Sequence, residues 1–236
     1  MCIPQICNKL EDFPLWNFDG SSTDQATTDH SEIILKPVYF CKDPFRLNNP
    51  KSKENQTFLV LCETFNSDMT PAKGNFRHHV REIFEETADE KPWFGFEQEY
   101  ILAKRNEFGD GTKPLAFPKG GYPKIPKGQY YCSIGASVSI GRYVAEAHLK
   151  CALYAGLTVA GINAEGFPSQ WEYQIGPVEG IEACDQLWMS RYILERVCEE
   201  FDLDVNYEPK PLEGEWYGSG CHANFSCEST RKEGGY

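Results

Sequence analysis

Three stretches of this chain alternate between apolar and polar residues, and each predicts a strand with two unlike faces. Over residues 93–102 the alternation puts Phe94, Phe96, Tyr100 and Leu102 on one face and Glu97 and Glu99 on the other. Over 170–175, Trp171, Tyr173 and Ile175 oppose Gln170, Glu172 and Gln174; over 221–226, Cys221, Ala223 and Phe225 oppose His222, Asn224 and Ser226. Such strands suit an antiparallel sheet whose apolar side rests on helices and whose polar side lines something wet and charged. The apolar run 58–62 is a further candidate strand. Helical spacing links Val80, Ile83, Phe84, Thr87 and Ala88, with Pro92 ending the pattern. Two more helices are predicted from about 142 to 155, stopped by Gly156, and from about 185 to 201, with Leu187, Leu194, Val197 and Phe201 on one face. Residues 40–56 read as an exposed connection, and the composition change at 68–71 suits a boundary between units spanning 1–70 and 71–236. The predicted fold class is α+β.

Composition narrows the classes of function. With 236 residues, 41% hydrophobic and 25% charged, the chain can bury a core and is neither disordered nor fibrous. Lys+Arg 23 against Asp+Glu 35 gives a net charge of -12, which repels nucleic acid and anionic lipid surfaces. The expectation is a cytoplasmic protein with no nucleic-acid or membrane partner, because no apolar run reaches membrane-span length and the start lacks a signal-peptide pattern. The ten cysteines are dispersed, and neither close pair, Cys2/Cys7 or Cys221/Cys227, has a two-residue gap. Cys62, Cys132, Cys151 and Cys198 lie in apolar segments and are expected to be buried free thiols.

Glu97 and Glu99 on one face repel each other unless a cation lies between them, and oxygen-rich sets with one imidazole, such as His222, suit Mg²⁺ or Mn²⁺. A solvated acidic face is the competing reading of Glu-x-Glu, and a backbone-bonded structural role is the competing reading of His222. Asp19 stands in an Asp-Gly pair, which by itself marks a turn.

Five motifs carry a resemblance. Trp16-Asn17-Phe18-Asp19-Gly20-Ser21-Ser22-Thr23, Trp93-Phe94-Gly95-Phe96-Glu97-Gln98-Glu99-Tyr100, Gly161-Ile162-Asn163-Ala164-Glu165, Gln170-Trp171-Glu172-Tyr173-Gln174-Ile175-Gly176-Pro177 and Gly218-Ser219-Gly220-Cys221-His222-Ala223-Asn224-Phe225-Ser226 occur in this order. Together they closely resemble glutamine synthetases of the eukaryotic type, from about Leu15 onward. The resemblance implies an incomplete β-grasp-like N-terminal unit followed by a catalytic domain. It implies a ligase that uses ATP to activate glutamate as an acyl phosphate, which ammonia then converts to glutamine. Glu99, Glu165 and Glu172 resemble the set holding the Mg²⁺ or Mn²⁺ nearest glutamate; Glu97 and His222 resemble ligands of the metal on ATP. Glu97, Glu172, Asn224 and Ser226 match ATP-contacting positions, and Glu165, Trp216, Gly218 and His222 match glutamate-contacting ones. Asp19 resembles the carboxylate that binds ammonium in a neighbouring subunit's site, so a ring-shaped homo-oligomer is implied.

Departures from the family pattern are equally specific. Tyr217 stands where the family usually has Asn, and Ser137 where it usually has Asp. The arginine motifs that follow the His222 strand in the family have no counterpart before Tyr236. Two expectations follow: a partial sequence of a working synthetase, or a non-catalytic truncated paralogue that binds metal or nucleotide weakly or associates with a full-length relative. A ligase acting on a glutamyl-amine analogue is a third, resting on Tyr217.

Overall fold

The computed structural model describes residues 6–46, 56–104, 114–116, 129–211 and 217–235. Two antiparallel sheets organise them. The first has the order β1-β2-β3, from β1 (Trp16–Asp19), β2 (Glu32–Lys42) and β3 (Phe58–Asn66). Pro37 lies in the central strand of this sheet, where a missing N–H usually breaks a ladder. Here β1 pairs only with Glu32–Leu35, short of the proline, and the β2–β3 register shifts between Pro37, opposite Cys62, and Tyr39, opposite Leu61. The connection expected over 40–56 begins later, because β2 continues through Lys42; residues 47–55 lie outside the described residues.

α1 (Phe76–Glu86) follows, capped by the Asn75 side chain, which accepts from the His78 N–H at 3.3 Å. It forms where the apolar spacing predicts, yet it buries no residue: Phe76 and Ile83 are exposed. The second sheet is built on β4 (Trp93–Lys104). One edge of β4 pairs with β6 (Gln170–Glu179), which in turn pairs with β5 (Val159–Ala164). The other edge is shared: β8 (Cys221–Ser226) covers Trp93–Gln98 and β7 (Leu203–Asn206) covers Ile101–Lys104. α2 (Arg142–Ala155) and α3 (Glu182–Glu200) pack on the apolar face, where Tyr100, Leu102, Trp171, Tyr173 and Ile175 are buried as the alternation predicts. Gly156, at φ 91°, stops α2 in the left-handed conformation that glycine tolerates. A short α4 (Glu228–Arg231) ends the described chain.

Three expectations need correction. The apolar side of β8 is not covered by helices: Cys221 and Phe225 are exposed, because among the described residues β8 pairs only with β4. Of the four cysteines expected to be buried only Cys198 is; Cys62 and Cys151 are partly covered and Cys132 is exposed in a turn, with a positive φ of 51°. Phe201 falls just beyond the C-terminal end of α3 and is exposed, so the helix buries Leu187, Leu194 and Val197 without it.

One buried group in this core gives a pH-dependent stability. His148 of α2 is packed against Tyr173, with ring centroids 4.7 Å apart, and its Nε2 donates to the Ser190 carbonyl at 3.0 Å. Its Nδ1 has no partner among the described residues, so protonation would bury an uncompensated cation. Burial pushes the pKa down to about 4. The unfolded chain titrates near 6.5, so this stability, of order 3 kcal/mol, is complete above pH 6.5 and is lost as pH falls through 4. The urea midpoint of the wild type should drop across that window, and more steeply than that of His148→Asn; equal slopes would refute the assignment.

Candidate functional site

The polar face of the second sheet concentrates acid. Glu99 of β4 stands directly opposite Glu172 of β6, and Glu172 is opposite Asn163 of β5. Glu165 follows immediately after β5, its N–H donating to the Gln170 carbonyl at 2.8 Å, so the turn between β5 and β6 aims its carboxylate inward. Glu99, Glu165 and Glu172 each offer an oxygen, and these oxygens lie within 4.8 Å of one another. Like charges this close raise each other's pKa, as does burial. Glu165 is raised by burial first and then by Glu99 and Glu172. Glu172, only 6% exposed, is raised mainly by burial and further by Glu97 and Glu99, while the Gln174 amide opposes the shift.

Neutral donors fix the orientation of the three. Gly220 N–H donates to Glu99 Oε2 at 2.5 Å, Asn163 Nδ2 to Glu165 Oε1 at 3.0 Å and Gly166 N–H to Glu165 Oε2 at 3.1 Å. Gln174 Nε2 donates both to Glu172 and, at 2.7 Å, to Asn163 Oδ1. No lysine or arginine is among these partners. A trio of hard oxygen donors, held by neutral groups, fits a divalent cation such as Mg²⁺ or Mn²⁺.

Glu97 and His222 stand opposite each other across the β4–β8 ladder but outside that trio. The His222 ring nevertheless borders it, since a Cβ on Gly220 would lie 3.5 Å from His222 Nε2 and 3.7 Å from Glu99 Oε2. Asn224 Nδ2 donates to Glu97 Oε1 at 2.6 Å. Asn224 and Ser226 line a cavity of about 340 Å³ that also takes in Phe94, Glu97, Gln174 and Phe225. An apolar floor beside a carboxylate and an amide suits a ligand with a flat ring and a charged tail. Trp93 also borders this cavity, half-exposed, with the Arg231 guanidinium 4.1 Å from its ring.

The Gly218 carbonyl accepts from the buried Gln170 Nε2 at 2.9 Å, and Ser219 N–H donates to the Pro209 carbonyl at 2.8 Å, so this loop is tied to β6 and to the chain beyond β7. Tyr217 lays its ring on the Gly166 backbone beside Glu165: a Cβ on Gly166 would come within 2.8 Å of it. Trp216 lies outside the described residues. Ser137 is exposed in a turn.

Asp19 does not join the cluster within this chain. It ends β1 in the other sheet, where its carboxylate accepts from Ser21 N–H at 2.9 Å and Ser21 Oγ at 2.6 Å. The Ser21 hydroxyl and amide hold its pKa below the usual carboxylate range. Gly20 is required behind it, because a Cβ there would fall 2.2 Å from Ile33 Cγ1. The turn reading of Asp-Gly therefore holds, and the carboxylate it leaves is exposed and ionised.

The sequence of the chain matches that of known proteins over the segment carrying this site. A family model described as glutamine synthetase, catalytic domain, matches residues 74–234. The glutamine synthetase of Candida glabrata is 50% identical over 231 residues, 98% of this chain and 59% of the relative. That of Neurospora crassa is 48% identical over 95% of this chain, and that of Fusarium solani subsp. phaseoli 46% over 99%, covering 59% and 62% of those proteins. The chain thus spans about three-fifths of the length of the curated relatives it matches. Because the matched catalytic-domain region contains the acidic trio, the facing β4–β8 ladder and the Gly218 loop, the chain belongs to the glutamine synthetase family.

Proposed function

We propose that this chain is the N-terminal unit, over 1–70, and much of the catalytic domain, over 71–236, of a cytoplasmic glutamine synthetase. The reaction is the ATP-dependent ligation of ammonia to glutamate through γ-glutamyl phosphate, a step of glutamine biosynthesis in nitrogen metabolism. The observation that carries this reading is the trio Glu99, Glu165 and Glu172, whose carboxylate oxygens lie within 4.8 Å of one another. Glu99, Glu165 and Glu172 would hold one Mg²⁺ or Mn²⁺ and Glu97 with His222 would hold a second. Bound there, divalent ions neutralise the phosphoryl oxygens and hold donor and acceptor in line.

The remaining roles belong to the chain. Asn224 fixes the Glu97 carboxylate, and with Ser226 and the apolar cavity floor it provides for ATP. Glu165, Gly218, His222 and Trp216 provide for glutamate. Asp19, kept ionised by the Ser21 hydrogen bonds, suits the capture of ammonium and removal of its proton. Because it lies outside the trio of its own chain, it would serve a neighbouring copy in a homo-oligomeric ring.

The test uses the protein isolated from its own cells, at the length they make it. With glutamate, ammonium, ATP and Mg²⁺ it should release one phosphate per glutamine formed, and the activity should elute with an oligomer. Phosphate release without glutamine would overturn the reaction; activity in a strict monomer would overturn the role of Asp19.

A further inference from the structure

Gln98 interrupts the apolar face of β4 between Phe96 and Tyr100, where only 2% of it is exposed. Its Oε1 accepts two hydrogen bonds from Arg191 of α3, one from Nε at 2.8 Å and one from Nη2. Its Nε2 donates to the Glu99 carbonyl at 2.7 Å and reaches the Gly220 carbonyl at 3.4 Å. The same Gly220 carbonyl accepts the Glu99 N–H at 2.9 Å, and Gly220 N–H returns a bond to Glu99 Oε2. This exchange lies in the gap between the β8 and β7 ladders on β4, where Glu99 is paired with β6 on one edge but with neither β7 nor β8 on the other. Gly220 also leads directly into the strand that carries His222.

We infer that Arg191 and Gln98 form a positioning pair that sets Glu99 and the Gly220 backbone from the helix side of the sheet, although neither side chain belongs to the acidic trio. Glutamine has the chemistry this place needs: an acceptor toward the guanidinium and a donor toward two carbonyls. Glutamate would satisfy Arg191 but set an oxygen against both carbonyls, and leucine would remove both the acceptor that faces the guanidinium and the donor that faces the carbonyls. The pair does not neutralise the Arg191 charge, so its stability value is smaller than an ion pair's. Its orientation is fixed from behind, since the guanidinium carbon sits 5.2 Å from the Trp188 ring and 5.6 Å from that of Tyr207. Such support of metal ligands from outside their own shell commonly governs affinity ten- to a hundred-fold.

The inference rests on the metal reading of the trio, so the experiment separates the two. Mn²⁺ binding is measured by calorimetry on the wild type, Arg191→Met, Arg191→Lys, Gln98→Glu and the core control Val197→Ala. Arg191→Met and Gln98→Glu should weaken Mn²⁺ binding about 10- to 100-fold, and Arg191→Lys should recover part of the loss. Val197→Ala should lower the melting temperature but leave Mn²⁺ affinity unchanged. Should Arg191→Met not fold, Gln98→Glu, which keeps volume and a partner for Arg191, carries the test. Wild-type affinity in Arg191→Met and Gln98→Glu, or an equal loss in Val197→Ala, overturns the positioning pair alone. A wild type that does not bind Mn²⁺ overturns the metal reading and this inference with it.

Discussion

Replacing Glu172 with Gln should lower Mn²⁺ affinity at least ~100-fold while raising the melting temperature of the metal-free protein. The two effects have one origin. Glu172 is almost wholly buried and shares 4.8 Å with the carboxylates of Glu99 and Glu165. At that separation two unit charges repel by about 3 kcal/mol in a medium of intermediate dielectric, which partial protonation relieves incompletely. Gln keeps the volume and can still accept from the Gln174 amide, but it removes the charge. A net gain of about 1–2 kcal/mol in the metal-free state corresponds to a rise of a few degrees for a chain of this size.

Saturating Mn²⁺ should reverse the order, because the wild type gains binding energy that the variant cannot. Paired melts in EDTA and in Mn²⁺ test both signs, and a variant that melts lower without metal and still gains the full Mn²⁺ shift would sink the assignment. Glu99→Ala should likewise abolish binding. The pH dependence follows from the raised pKa values of Glu165 and Glu172. A carboxyl raised in the folded state contributes stability that is present below its unfolded value and is lost as pH rises through the folded one. The metal-free wild type should therefore lose stability above about pH 4.5, relative to Glu172→Gln, and Mn²⁺ should erase that difference.

What the sequence made legible at this site was whatever period two could reveal. Glu97, Glu99 and Glu172 are at alternate positions on strands whose other face is aromatic, so their common side could be read without knowing which strands pair. Glu165 is on no alternating strand; it entered through its motif, and the turn that aims it depends on a backbone bond to Gln170. Gln98 was hidden by the same alternation that exposed its neighbours, since a polar residue in an apolar face reads as a tolerated exception until its partner is known. That partner, Arg191, is 93 residues away. β8 marks the opposite failure: its two-faced pattern was correctly read as a strand, but the cover expected for Phe225 depends on neighbours that β8 does not have among the described residues. Local pattern predicts a face, and only topology decides what meets it.

Arg77 presents the limiting case, because no local pattern marks it and its loss should cost the most stability. From α1 its Nη1 donates to Glu63 Oε1 of β3 at 2.8 Å, and its Nε and Nη2 grip Asp185 of α3, each at 2.7 Å. The Glu63 and Asp185 side chains are only 2% and 4% exposed. α1 buries no residue of its own, so this guanidinium is its main polar anchor to both the first sheet and the helical layer of the second. Arg77→Met would leave two buried carboxylates without their shared cation, and breaking a buried pair this way costs about 3–5 kcal/mol. The melting temperature should fall by roughly 10 °C, since each kcal/mol is worth ~2–4 °C at this size. The exposed pair Lys73–Asp24, at 2.6 Å, gives the contrast: Lys73→Ala should leave the melting temperature nearly unchanged despite its short distance. Neutralising all three partners, as Arg77→Met with Glu63→Gln and Asp185→Asn, should recover most of the Arg77→Met loss, because the penalty lies in the stranded charges. If the triple variant is no more stable than Arg77→Met alone, the energy lies in packing around the arginine stem and the ionic clamp between the sheets is refuted.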